Sequence, residues 1–194
     1  MKKIILALFN VIFILNCASA NEGITQETSL QETHAGNSLI IECKITKKPC
    51  TIKIKNINNQ STTFSDFIDI NKIGITWHGD NLVELRRSLG TNASFSKFYD
   101  FKRMRGAKKE YPGVIAIDAA HNLVAYCDSY LVLVDNLFDD KFKLITISRP
   151  YAGSTESSVY RNDSRFTKTG DLQLSYMAII NKRYEERDEL VNLP

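Results

Sequence analysis

Between Leu39 and Ile54 the chain reads LIIECKITKKPCTIKI, and its alternation admits very few folds. Folding the segment about Thr46-Lys47-Lys48-Pro49 brings Cys43 opposite Cys50, Ile41 opposite Ile52 and Leu39 opposite Ile54. All six side chains then share one face, with Glu42, Lys44, Thr51, Lys53 and Lys55 on the other. A single register satisfies both the apolar alternation and disulfide reach. The segment therefore predicts a β-hairpin closed by a Cys43–Cys50 bridge. A metal pair is disfavoured, because no His or Cys lies nearby at ligand spacing.

The same grammar recurs downstream. Ile73 to Trp77 and Val83 to Leu85 alternate around His78-Gly79-Asp80-Asn81, with Trp77 facing Val83 and Ile75 facing Leu85. Asn81 is the residue expected to take the left-handed conformation there. Val114 to Asp118 and Leu123 to Cys127 flank a second turn, which places Ile115, Ile117, Val124 and Tyr126 on one face. Tyr130 to Val134 and Phe142 to Ser148 read as further strands. Only Arg183 to Leu190 (RYEERDEL) competes as a helix, against an exposed charged strand. The expected class is mainly β: an antiparallel sandwich or curved sheet of hairpins, within one domain over residues 37–194.

A turn residue followed by a strand begins at Asn37, Asn81, Asn122 and Asp171, at intervals of 44, 41 and 49 residues. That spacing suits propeller blades and supplies the alternative, a small propeller-like ring, although blade signature residues are missing.

The first twenty residues, MKKIILALFNVIFILNCASA, have the layout of a secretory signal peptide. Lys2 and Lys3 precede an apolar run from Ile4 to Leu15, which is too short to span a bilayer, and Ala18-Ser19-Ala20 forms a small-residue cleavage site. Cys17 offers a rival, lipid attachment, but Asn16 fits poorly before such a cysteine. A chain starting at Asn21, in the periplasm or secreted, is expected, with a bacterial envelope protein as the default setting. Residues 21–36 are polar, without apolar periodicity, and read as a flexible lead-in.

The formal charge of +3 includes Lys2 and Lys3, so the processed chain carries only +1. Neither nucleic acid nor an anionic membrane is implied, and no segment after residue 20 is long and apolar enough for a transmembrane helix. Cys127 ends an apolar strand and reads as a buried small hydrophobe.

No constellation identifies an enzyme. His34, His78 and His121 occur in no HxH or HxxxH pair, so neither a metal nor another cofactor is expected. Gly153-Ser154-Thr155 lacks the closing glycine of a nucleophile elbow. The strongest anomaly is Lys97 to Lys109, with six basic residues, three aromatics and one acid. It reads either as a docking surface carrying Arg103, Arg105, Lys108 and Lys109 for an acidic protein, or as a strand followed by a solvated basic loop. Arg149 to Arg161, a polar segment with Tyr151, Tyr160 and Arg161, is the second candidate for recognition. The reading is an exported, non-enzymatic protein-binding domain, such as an enzyme inhibitor or a toxin-neutralising immunity protein. Its alternatives are an envelope hydrolase with dispersed catalytic residues and a cell-surface glycan-binding or structural module.

Overall fold

Period-two patterning builds four antiparallel sheets, one after another along the chain. The computed structural model describes residues 28–43, 49–66, 70, 72–90 and 93–194. The first sheet holds β1 (Thr28–His34), β2 (Asn37–Cys43), β3 (Cys50–Lys55) and β4 (Ser61–Asp66), in chain order. The second holds β5 (Ile73–His78), β6 (Leu82–Gly90), β7 (Ala93–Asp100) and β8 (Arg105–Gly106), with β9 (Tyr111–Pro112) also on β7. The third holds β10 (Val114–Asp118), β11 (Leu123–Asp128), β12 (Leu131–Asn136) and β13 (Ile145–Ile147). The single-turn α1 (Thr155–Ser158) precedes the last sheet, β14 (Arg165–Phe166), β15 (Leu172–Ile180) and β16 (Arg183–Val191).

The mainly-β, hairpin-built architecture is as expected, and the recurring turn residues mark its repeat. Asn37 opens β2, Asn81 and Asn122 immediately precede β6 and β11, and Asp171 precedes β15. Each of these is the second strand of its sheet.

Three apolar clusters join the sheets in chain order. Leu39, Ile41, Ile52 and Ile54 pack against Val83, Leu85, Tyr99 and Phe101, joining the first sheet to the second. Leu82, Phe98 and Tyr111 meet Val124, Tyr126 and Leu133, joining the second to the third. Ala125, Cys127, Val132 and Val134 meet Leu172, Leu174, Tyr176 and Ala178, joining the third to the fourth. The two middle sheets are thus covered on both faces. Asn37, nearly fully buried, adds a polar tie: its Nδ2 donates to the Asp80 carbonyl at 2.6 Å and its Oδ1 accepts from the Ile57 amide at 3.1 Å.

The first hairpin has the expected register, with Leu39 opposite Ile54 and Ile41 opposite Ile52. Cys43 and Cys50 are joined, their Cα atoms 4.4 Å apart, which is compatible with an oxidising compartment. Trp77 opposite Val83 and Ile75 opposite Leu85 also hold. Cys127 is fully buried and outside the disulfide. No helix of the described residues is long and apolar enough to cross a membrane.

Several expectations need correcting. The flexible lead-in gives way at Thr28, because TSLQETH pairs residue by residue with β2 and lays Leu30 against the core. Signal-peptide residues 1–20 and residues 21–27 lie outside the described residues. At the second turn Gly79 takes the positive φ, at +66°, whereas Asn81 does not. A register shift between Val114 and Ala116 puts Val114 opposite Tyr126 and sends Ile115 into the third–fourth sheet cluster. Strand pairing after Phe142 begins only at Ile145. RYEERDEL resolves as strand β16, reached through Asn181 (φ 50°) and Lys182 (φ 64°), a two-residue turn that continues the strand twist.

Candidate functional site

Strand β6 lies inside its sheet and that sheet is covered twice, so both of its side-chain rows are buried. Val83 and Leu85 face the first sheet, while Leu82, Glu84 and Arg86 alternate onto the side of the third. Glu84 is consequently fully buried. Its direct cross-strand neighbours are Thr76 and Phe98, and its diagonal ones are His78 and Ser96. His78 Nε2 donates to Glu84 Oε2 at 2.9 Å and Ser96 Oγ donates to Oε1 at 2.5 Å. Arg161 reaches across 77 residues of sequence to place Nη2 3.3 Å from Oε1 and 3.4 Å from Oε2. Burial alone would raise the Glu84 carboxyl, but the hydrogen bonds from His78 and Ser96 and the charge of Arg161 outweigh it. The group is held below its ordinary value and stays ionised.

A serine, a histidine and a carboxylate converge here in an order different from a hydrolase. In a nucleophilic triad the imidazole stands between hydroxyl and acid and takes the hydroxyl proton. Here the carboxylate stands between, Ser96 donates directly to it, and Ser96 is fully buried. The arrangement fixes charge; it does not activate a nucleophile.

Beside this cluster is a cavity of about 240 Å³ lined by Arg86, Ser88, Ser94, Cys127, Val159 and Arg161 among others. Burial lowers the Arg86 guanidinium from its ordinary value, and the nearby Arg161 charge lowers it further, with Glu84 acting the other way. Among the described residues, Arg161 Nη1 is buried and has no hydrogen-bond partner.

The basic stretch is largely committed to internal partners. The buried Asp100 carboxylate accepts from the Lys102 amide at 2.8 Å, from the Arg103 amide at 3.0 Å, and from Arg103 Nη1. Arg103 Nη1 also lies 3.2 Å from Asn122 Oδ1. Lys108 and Lys109 converge on the buried Asp135 at 2.7 and 3.2 Å. Lys109 further donates to the Tyr126 hydroxyl at 2.9 Å and lies over the Tyr111 and Tyr126 rings. Burial opposes the Lys109 charge, but the Tyr126 and Asp135 bonds prevail and raise it above the ordinary lysine value. Lys97 pairs with Asp66 at 2.5 Å.

Arg105 is placed differently. It is exposed, sits in β8 opposite Asp100, and its guanidinium stacks 4.8 Å above the buried Phe138 ring; Arg103 lies over the same ring at 5.9 Å. No ion pair of Arg105 occurs among the described residues. Gly106 is held by strand pairing to Tyr99, and the Ala107 amide donates to the Phe98 carbonyl at 2.7 Å.

The Arg149–Arg161 segment runs along β15 instead of projecting from it. Tyr151 bridges to Ala178 and Val159 to Tyr176, while the Ala152 and Tyr160 amides donate to the Met177 and Ser175 carbonyls. The Tyr151 ring packs edge-on against Tyr176 at 5.2 Å, so this side chain is a packing residue. Tyr160 is half-buried, and Arg161 belongs to the Glu84 cluster. Glu84, Arg86 and Ser96 were not singled out by sequence, and His78 was weighed only as a metal or cofactor ligand, although a charge in LVELRR between apolar neighbours was the available signal.

Neither a family model nor a curated protein matches the chain. Among solved structures it is similar to one described in a structural and mechanistic study of two prolyl endopeptidases, at 8% identity and a TM-score of 0.40. That likeness covers 87% of this chain and 30% of the other.

Proposed function

We propose that this chain is an exported, non-enzymatic domain, periplasmic or secreted, that binds another protein through the face carrying Arg105, in the manner of an inhibitor or immunity protein. The observation that carries the reading is the stacking of Arg103 and Arg105 on Phe138. A guanidinium already resting over a ring has less rotamer freedom to lose on binding and keeps N–H groups to offer a carboxylate. Asp100 pairs with Arg103, whereas Arg105, opposite Asp100 in the strand pair, makes no ion pair among the described residues, so Arg105 is the anchor for an acidic partner.

The signal-peptide pattern and the Cys43–Cys50 bridge support an address outside the cytoplasm. The direct Ser96-to-Glu84 bond favours this reading over the hydrolase alternative.

The test is capture from envelope extracts by immobilised wild-type chain and by R105E, with both first shown to be equally folded. A protein retained by wild type and lost from R105E supports the proposal. Equal retention by both, or none by either, removes Arg105 as the anchor.

A further inference from the structure

Separately from the Arg105 face, the geometry points to a small-oxyanion site in the cavity between Arg86 and Arg161, one that takes a carboxylate or phosphate group of metabolite size. Three observations carry it.

The first is charge. Arg86 and Arg161 both line the cavity, and the carboxylate at hand is Glu84, already engaged by His78, Ser96 and one edge of Arg161. Burial is the main cause that lowers Arg86, and repulsion from the Arg161 charge on the same cavity wall lowers it further. An anion between them would remove that repulsion.

The second is donor geometry. Arg161, which lines the cavity, spends Nη2 on Glu84, and its Nη1 is buried with no hydrogen-bond partner among the described residues. A buried, charged N–H without an acceptor is costly, and an oxyanion is the acceptor that satisfies it most strongly. Ser94 and Ser88 add hydroxyls to the same wall.

The third is size. About 240 Å³ is below the usual range for drug-sized ligands. It suits an inorganic oxyanion or a short carboxylic acid, while the apolar Val159 and Cys127 provide a flank for a few carbons. Ser88 is exposed and stands at the mouth, so the site is open to solvent from that side.

Titration calorimetry on the processed chain, with inorganic phosphate, sulfate, acetate and succinate as separate probes, tests this. Wild type should bind at least one probe saturably, more weakly as salt rises. R86Q should bind it at least tenfold more weakly, and K53Q, which alters an exposed basic residue of the first sheet, should bind it unchanged. Phosphate and sulfate heats without carboxylate heats would assign the site to tetrahedral anions, and the reverse to carboxylates. Should R86Q misfold, S88W, which blocks the mouth from an exposed position, must abolish the same heat. Absence of heat for all four probes overturns the site, as does equal binding by wild type, R86Q and S88W.

Discussion

Replacing Glu84 with Gln keeps the shape of the side chain and removes its charge, which makes E84Q the sharpest probe of the buried cluster. In the wild type a fully buried carboxylate accepts from His78, Ser96 and Arg161. Glutamine keeps one acceptor oxygen and turns the other position into a donor, so at least one of these three donors faces another donor. Arg161 also loses its counter-charge beside Arg86. Removing one partner of a buried pair costs about 3–5 kcal/mol, but Arg161 keeps some solvent contact, which argues for about 2–4 kcal/mol here. Urea unfolding at pH 7 measures it.

The pH dependence gives an internal check. The folded-state value of Glu84 lies below its ordinary 4.5, so its contribution is fully present above that value and is lost as pH falls through the lower folded one. Gln does not titrate, so the difference between the two proteins should shrink below pH 4.5. A double variant, E84Q with R161M, should recover part of the loss, because it removes the stranded charge as well. A destabilisation under about 1 kcal/mol at pH 7, constant with pH, would refute the reasoning.

Three other expectations follow from single contacts. The C43S/C50S variant should lose about 2–3 kcal/mol, the value for so short a loop, and peptide mapping without reduction should recover Cys43 joined to Cys50 and not to Cys127. N37A should cost about 1–3 kcal/mol in thermal or urea unfolding, since it strands the Ile57 amide and the Asp80 carbonyl where the first two sheets meet. Exported protein should show by intact mass the loss of residues 1–20 and a start at Asn21; a lipid on Cys17 would contradict this.

The parts of the fold that were legible in the sequence are those where one face of a strand is apolar and the other polar. Leu39, Ile41, Ile52 and Ile54 declared both strand and register, and so did Trp77 with Val83. The recurring Asn37, Asn81, Asn122 and Asp171 announced the repeat, since each meander reverses into its second strand there.

What escaped notice lies where that one-sided logic fails. In a sheet covered on both faces, a charged residue in the alternation is still buried, and the local pattern around Glu84 and Asp135 gives no sign of it. The Lys108 and Lys109 charges could not be discounted until Asp135 was placed beneath them. Arg161 meets Glu84 across 77 residues of sequence, a contact that no local pattern encodes. The polar strand β1 was missed because its stability comes from backbone pairing to β2, with little apolar signal beyond Leu30.

Arg105, on this proposal, marks the face that a partner protein occupies. A photo-crosslinking residue placed at position 105 tests it in the native envelope, with one at exposed Thr63 in β4 as the control. A single discrete adduct is expected from position 105, absent at Thr63 and competed by added wild-type chain. Adducts that are equal at both positions, or none from position 105, would contradict it.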